Sequence, residues 1–137
     1  MTAARLPFVA LAIVCAVVGI HLATTSAGEG QLSRANAAML AGRDDAALAE
    51  LDGLKGEAAQ RAAKVRAYAY LGKGELLRSR AAFQTAVRRD PNNWVLQRDY
   101  AVVLLRTGER ARARARISKA KALNPRIQLP VGFQDVK

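Results

Sequence analysis

The chain has 137 residues, a formal net charge of +11, one histidine and one cysteine. This length has room for a single domain. His21 and Cys15 both lie among the first 27 residues, which excludes a histidine-based triad and a Cys/His metal site from the remainder.

Residues 1–27 contain a predicted membrane-targeting segment. Residues 6–23 are apolar apart from His21, and a helix of this length spans roughly 27 Å, close to the hydrocarbon thickness of a bilayer. Two interpretations stay open, an uncleaved single-pass transmembrane helix and a signal peptide cleaved near Ala27. With the basic N-terminus inside, both place the rest of the chain outside the cytoplasm, either membrane-attached or secreted or periplasmic.

The positive charge is concentrated in the second half of the chain. Residues 24–59 contain three basic and six acidic side chains, whereas residues 60–127 contain 17 basic and four acidic ones. Such a basic region favours polyanionic partners, either anionic lipid headgroups or nucleic acid. The extracytoplasmic location predicted above argues against nucleic acid.

An internal repeat organises the chain beyond the leader. Residues 74–91 return 34 residues later as residues 108–125, and an earlier copy begins at Gly42. Each copy has an alanine seven residues before its glycine, a small residue five after it and a large apolar residue nine after it. These positions are Ala35, Ala67 and Ala101; Ala47, Ser79 and Ala113; and Leu51, Phe83 and Ile117.

This period is typical of stacked helix–turn–helix units, so the predicted fold class is all-α. Each glycine ends the first helix of a unit, and Pro91 and Pro125 end the second helix of their units. The predicted helices cover residues 29–41, 44–54, 61–73, 76–89, 94–107 and 110–123.

The repeated residues resemble tetratricopeptide repeats. The resemblance rests on YLGKG at 70–74, on Ala82, Phe83 and Ala86 followed by DPNN at 90–93, and on Ala101, Leu104, Gly108, Ala113, Ala120, Leu123 and Pro125. Where the family usually has an early aromatic residue, this chain has Gln31, Ala63 and Gln97. The resemblance implies a short solenoid of three units, about 28–59, 60–93 and 94–127, in a small membrane-anchored bacterial protein.

The tail, residues 128–137, is predicted to be non-helical because Pro130 and Gly132 interrupt it. Its apolar residues have two interpretations. The tail covers the last apolar face of the array, or it is an extended motif captured by another protein.

The resemblance also implies a concave surface, lined by the first helix of each unit, that holds a segment of another protein. The residues expected to face it are Asn36, Met39, Lys64, Tyr68, Arg98, Val102 and Leu105. Lys64, Tyr68 and Arg98 would suit a peptide with acidic groups. The alternative is that these residues are ordinary solvent-facing side chains.

A run of cations marks the third unit: Arg110, Arg112, Arg114, Arg116, Lys119 and Lys121. On a helix the alternating arginines fall on two faces. They are interpreted as a solvated face, as a surface for anionic lipids or other polyanions, or as a nucleic-acid surface.

No catalytic constellation is recognisable in the sequence. We therefore expect a non-enzymatic interaction scaffold or adaptor without cofactor or metal, whose partners are another protein and the membrane. The alternative function is a basic docking module for anionic lipid headgroups.

Overall fold

The computed structural model describes residues 28–134, and every regular element in that range is a helix. The predicted all-α fold class is therefore confirmed for this part of the chain. The helices are α1 (28–40), α2 (Asp44–Glu50), α3 (Gly56–Arg61), α4 (Ala63–Gly72), α5 (Leu76–Arg89), α6 (Trp94–Arg106) and α7 (Arg110–Leu123).

The predicted transmembrane helix or signal peptide, residues 1–27, lies outside the described residues. Within 28–134, none of the helices combines the length and the apolar character that crossing a bilayer requires.

Four helices begin and end within one residue of their predicted limits, and two do not. α2 ends at Glu50 rather than at residue 54, and Gly53 follows with a φ of +77°, which a right-handed helix does not contain. The helix predicted over 61–73 begins earlier, as α3. It continues almost directly into α4, because Ala62 takes part in both helices: its amide bonds to the carbonyl of Ala58, and its carbonyl accepts from the amide of Arg66, both at 2.9 Å.

The same helix-ending turn occurs three times, after α1, α4 and α6. A glycine with positive φ occupies each turn, with values of +69°, +75° and +85° at Gly42, Gly74 and Gly108. The amide that follows each glycine bonds to the carbonyl five residues earlier, in the pairs Arg43–Ala38, Glu75–Tyr70 and Glu109–Leu104, at 2.8 to 2.9 Å. This 6→1 bond satisfies a carbonyl that the helix end leaves without a partner.

Helices pack against neighbours that are close in the chain. α4 packs on α5 and α6 on α7, while α2 contacts α4 and α5 contacts α6. The nine repeat positions named above, with their alanine, small and large residues, are all fully buried. Small residues let the helices approach closely, and the Ser79 hydroxyl donates to the Ala67 carbonyl across the α4–α5 contact at 2.8 Å.

The larger part of the core lies in the second and third units. Phe83 stacks on Tyr100 at a centroid distance of 6.1 Å and meets Tyr68 edge-on at 5.1 Å. Leu104 and Ile117 belong to the same buried cluster. In the first unit, the buried side chains near α1 and α2 are mostly alanines, apart from Leu51 and Val65.

The described part of the tail lies across the end of this core. Phe133 is 1% exposed, and Ile127 and Leu129 pack against the same cluster, whereas Val131 is 90% exposed. The turn that leads into the tail resembles the turn that leads into α6. In the first, the amide of Ile127 bonds to the carbonyl of Asn124, and in the second, the amide of Asn93 bonds to the carbonyl of Asp90. This arrangement agrees with the interpretation that the tail covers the last apolar face.

Candidate functional site

α1, α2 and α4 line an open groove with a volume of about 690 Å³. Four of the seven residues expected on the concave surface come together here. They are Asn36, Met39, Lys64 and Tyr68.

The buried faces of α1 and α4 place these side chains. Ala35 and Ala38 hold α1 against the core, which leaves Asn36 exposed and Met39 half-buried at the groove. Lys64 and Tyr68 are four residues apart on α4 and therefore share one face. Lys64 is exposed, and Tyr68 is half-buried.

Tyr68 has its hydroxyl engaged within the protein. The hydroxyl donates to Asp99 Oδ2 at 2.6 Å, which links α4 to α6. Burial, followed by the hydrogen bond and the negative charge of Asp99, raises the pKa of Tyr68 well above its ordinary value, although Arg98 opposes the shift. Tyr68 therefore lines the groove without a free hydroxyl donor.

Arg98 is held by its own neighbours. Its Nε donates to Asp99 Oδ1 at 2.7 Å, and its guanidinium lies 5.4 Å from the centroid of the Trp94 ring. The hydrogen bond that Arg98 donates to Asp99 raises the pKa of Arg98 further, against partial desolvation. Arg98 does not line the groove, so the expected cation that the groove presents is Lys64, which is exposed.

The remaining two expected residues lie apart from the groove. Val102 is half-buried against the large core cluster. Leu105 lies under the tail, because a Cβ added to Gly132 would be 2.8 Å from its Cδ2. A second pocket, of about 420 Å³, is lined by Leu105, by Arg110 and Arg114 of α7, and by Gly132 and Phe133 of the tail.

Other residues of the groove were not predicted from the sequence. Leu40 is 75% exposed at its edge, and Asp44 lies at its α2 side. The Asp44 carboxylate approaches α4 so closely that a Cβ on Gly72 would be 2.2 Å from Oδ2. Gly72, at the end of α4, is the one sequence signal for this approach, and by its pattern it indicates only a position of the repeat.

The predicted run of cations lies on α7, with its members on different sides of the helix. Arg112 pairs with Glu109 and donates to the Tyr100 hydroxyl at 3.1 Å. Arg116 lies over the Tyr100 ring at 5.5 Å and donates to Gln97 Oε1 at 3.3 Å. Both arginines therefore face α6.

Glu109 joins α5 to α7 by accepting from Arg80 and Arg112. Partial desolvation favours its neutral form, but the hydrogen bonds from both arginines outweigh it, and the pKa of Glu109 is lowered.

Within residues 28–134, no cluster of three or more His, Cys, Asp or Glu side chains could hold a metal ion.

Comparisons with models of protein families, with curated proteins and with solved structures found no match to this chain.

Proposed function

We propose that this protein is a non-catalytic scaffold whose tetratricopeptide-like array binds a segment of another protein in the groove between α1 and α4. The observation that carries the proposal is the groove itself, which brings together Asn36, Met39, Lys64 and Tyr68 from two units. The three identical helix ends and the packing of helices in chain order support the repeat architecture.

The groove favours a partner with both acidic and apolar side chains. Lys64 offers an ammonium group and Asn36 an amide, while Met39 and Leu40 offer apolar contact. An acidic side chain would pair with Lys64, and an adjacent apolar one would cover Leu40. Three units make a short surface, so we expect modest affinity.

The proposed setting is an extracytoplasmic membrane surface. It rests on the apolar run over residues 6–23, which would tether the array as a single-pass anchor or export it as a signal peptide.

The test uses positions that are exposed, because Tyr68 and Arg98 also hold the fold through Asp99. A photo-crosslinking amino acid is placed at Asn36 in the full chain in cells, and a matched one at Gln84, which is exposed on α5. We expect a discrete adduct from position 36 and none from position 84.

A charge reversal then tests the chemistry of the groove. Lys64→Glu should remove most of the adduct, while Gln84→Glu in the same background should leave it unchanged. Circular dichroism checks that both variants stay helical. Equal adducts from positions 36 and 84, or an adduct insensitive to Lys64→Glu, would contradict the proposal.

A further inference from the structure

The second helices of the last two units carry cations without any acidic side chain. α5 contains four basic residues and α7 contains six, and neither contains Asp or Glu. α2, the second helix of the first unit, is the opposite, with three acidic residues and no basic one. The charge therefore changes sign along the array, from acidic at α2 to strongly basic at α7.

The outer face of α7 is smooth and bordered by positive charge. The inner face is formed by Ala113, Ile117 and Ala120, all fully buried. At about 100° per residue, the opposite side consists of small, exposed residues, and one row of cations runs along each side of it. The small residues are Ala111, Ala115, Ser118 and Ala122; the rows are Arg110, Arg114 and Lys121, and Arg112, Arg116 and Lys119.

The two rows differ in their surroundings. Arg112 and Arg116 are partly engaged by Glu109, Gln97 and Tyr100 on the side that faces α6. On the other side, Arg110 and Arg114 are exposed one turn apart.

We propose that the outer face of α7, together with the neighbouring outer face of α5, docks on an anionic phospholipid bilayer. Arg80 of α5 pairs with Glu109, the residue before α7, so the two helices are linked at that end. Leu77 and Arg88 are exposed on α5. No bulky side chain projects from the middle of α7, so a flat layer of headgroups can approach the cations on either side of it. Four of these cations are exposed: Arg110, Arg112, Arg114 and Lys119.

Two observations favour a bilayer over a nucleic acid. Leu77 is 66% exposed on α5 and Leu123 is 38% exposed on α7, and apolar side chains among cations gain more from the acyl boundary than from phosphates. The apolar run over residues 6–23 would also bring the array to a membrane surface. This proposal concerns a face of the array other than the groove, so either proposal can fail alone.

The expected strength follows from the number of cations. Each basic residue near an anionic membrane surface strengthens binding by roughly fivefold. This attraction decays over about one Debye length from the surface. Removing three of the six charges on α7 should therefore weaken docking by roughly a hundredfold.

The test reads the exposure of one position in the full chain, so it does not depend on how the leader meets the membrane. Cys15→Ser provides the background, Ser118→Cys places a fluorescent label on the outer face of α7, and Ala46→Cys places the same label on α2. The proteins are reconstituted with vesicles of phosphatidylcholine or of phosphatidylcholine with about 30% phosphatidylglycerol. The rate of chemical reduction of the label by dithionite measures its exposure to water.

On the anionic vesicles, reduction at position 118 should be at least about fivefold slower than on the neutral ones, and about 1 M NaCl should abolish the difference. Position 46 should react equally in both cases, which controls for repulsion of the reagent. The variant Arg110→Gln/Arg114→Gln/Lys121→Gln should lose the protection. The variant Arg43→Gln/Lys55→Gln/Arg106→Gln, with the same change in charge at exposed positions elsewhere, should keep it.

Two results would overturn the proposal. One is equal reduction rates at position 118 on the two kinds of vesicle with the unsubstituted cations. The other is protection of position 118 by a DNA duplex without protection by anionic vesicles, which would assign the face to nucleic acid. Both results are read on the protein with its cations intact, so a variant that fails to fold does not affect them.

Discussion

At the scale of residues, one carboxylate, that of Asp99, engages two of the side chains that were expected to bind a partner. Asp99 takes a hydrogen bond from Tyr68 on one oxygen and from Arg98 on the other. The position is valine, Val65, in the preceding unit, so the repeat pattern gave no reason to expect an acid there. As a result, two residues that were expected to receive a partner's acidic group are already bound to one within the chain.

The raised pKa of Tyr68 leads to a prediction about alkaline pH. Because burial and Asp99 keep Tyr68 neutral in the folded state, its contribution to stability is present below the ordinary tyrosine pKa of about 10 and is lost as the pH rises above it. Tyr68→Phe cannot ionise, so its stability should fall less than that of the unsubstituted protein between about pH 9.5 and 11.5. Urea denaturation followed by circular dichroism over this range measures the difference. Parallel pH profiles for the two proteins would contradict the assignment.

Gln97 shows how the structure accommodates one departure from the repeats that the sequence resembles. It is fully buried at a place where an aromatic residue is usual. Its Nε2 donates to the Pro91 carbonyl at 2.8 Å, and its Oε1 accepts from Arg116 at 3.3 Å. Both ends of the amide are therefore satisfied, which is the condition for burying a polar side chain without a large penalty.

At the scale of elements, the tail completes the last unit. The turn Asn124–Ile127 repeats the turn that leads into α6, but Pro130 and Gly132 follow where a helix would continue. The chain instead places Phe133 in the core and leaves Val131 outside. An irregular segment thus covers the face against which a fourth unit would pack.

Truncating the buried aromatic side chain tests this role. Phe133→Ala should lower the free energy of unfolding by about 3 kcal/mol, because it removes a fully buried ring from the cluster around Tyr100 and Leu104. Val131→Ala, two residues away and exposed, should change it by less than about 0.5 kcal/mol. Urea denaturation of the full chain measures both. Equal effects of the two substitutions would show that the tail does not cover the core.

At the scale of the whole molecule, stability and charge are both unevenly distributed. The second and third units share one cluster that contains Phe83, Tyr100 and Phe133, whereas the first unit buries mainly alanines. An alanine side chain removes little apolar area from water, so the first unit has the weaker core. The groove lies against this unit, and the basic outer helices belong to the other two.

Hydrogen exchange should reveal the difference in stability. In an array where each unit contacts only its neighbours, the weaker end opens locally without the rest. We expect the amides of α1 and α2 to exchange at least about tenfold faster than those of α5 and α6. Mass spectrometry of peptides from the full chain at neutral pH measures these rates. Uniform protection from α1 to α7 would mean that the whole array opens as one unit.

The sequence by itself determined four of the helices with their ends, and the buried positions of the repeat. These features depend on local chemistry, because Gly74 and Gly108 allow the left-handed turn, Pro91 and Pro125 stop a helix, and a small or large side chain recurs at one spacing. The resemblance to tetratricopeptide repeats also predicted the four residues that meet in the groove, Asn36, Met39, Lys64 and Tyr68.

Only the tertiary structure decided which of these side chains are available. Asp99 lies 31 residues from Tyr68, and Asp44 lies 28 residues from Gly72, yet each pair is in contact. The choice of Phe133 rather than Val131 for the core likewise depends on the path of an irregular tail across α6 and α7. Such contacts follow from the relative placement of whole units. A repeat period specifies that units stack, but not which side chains meet between them.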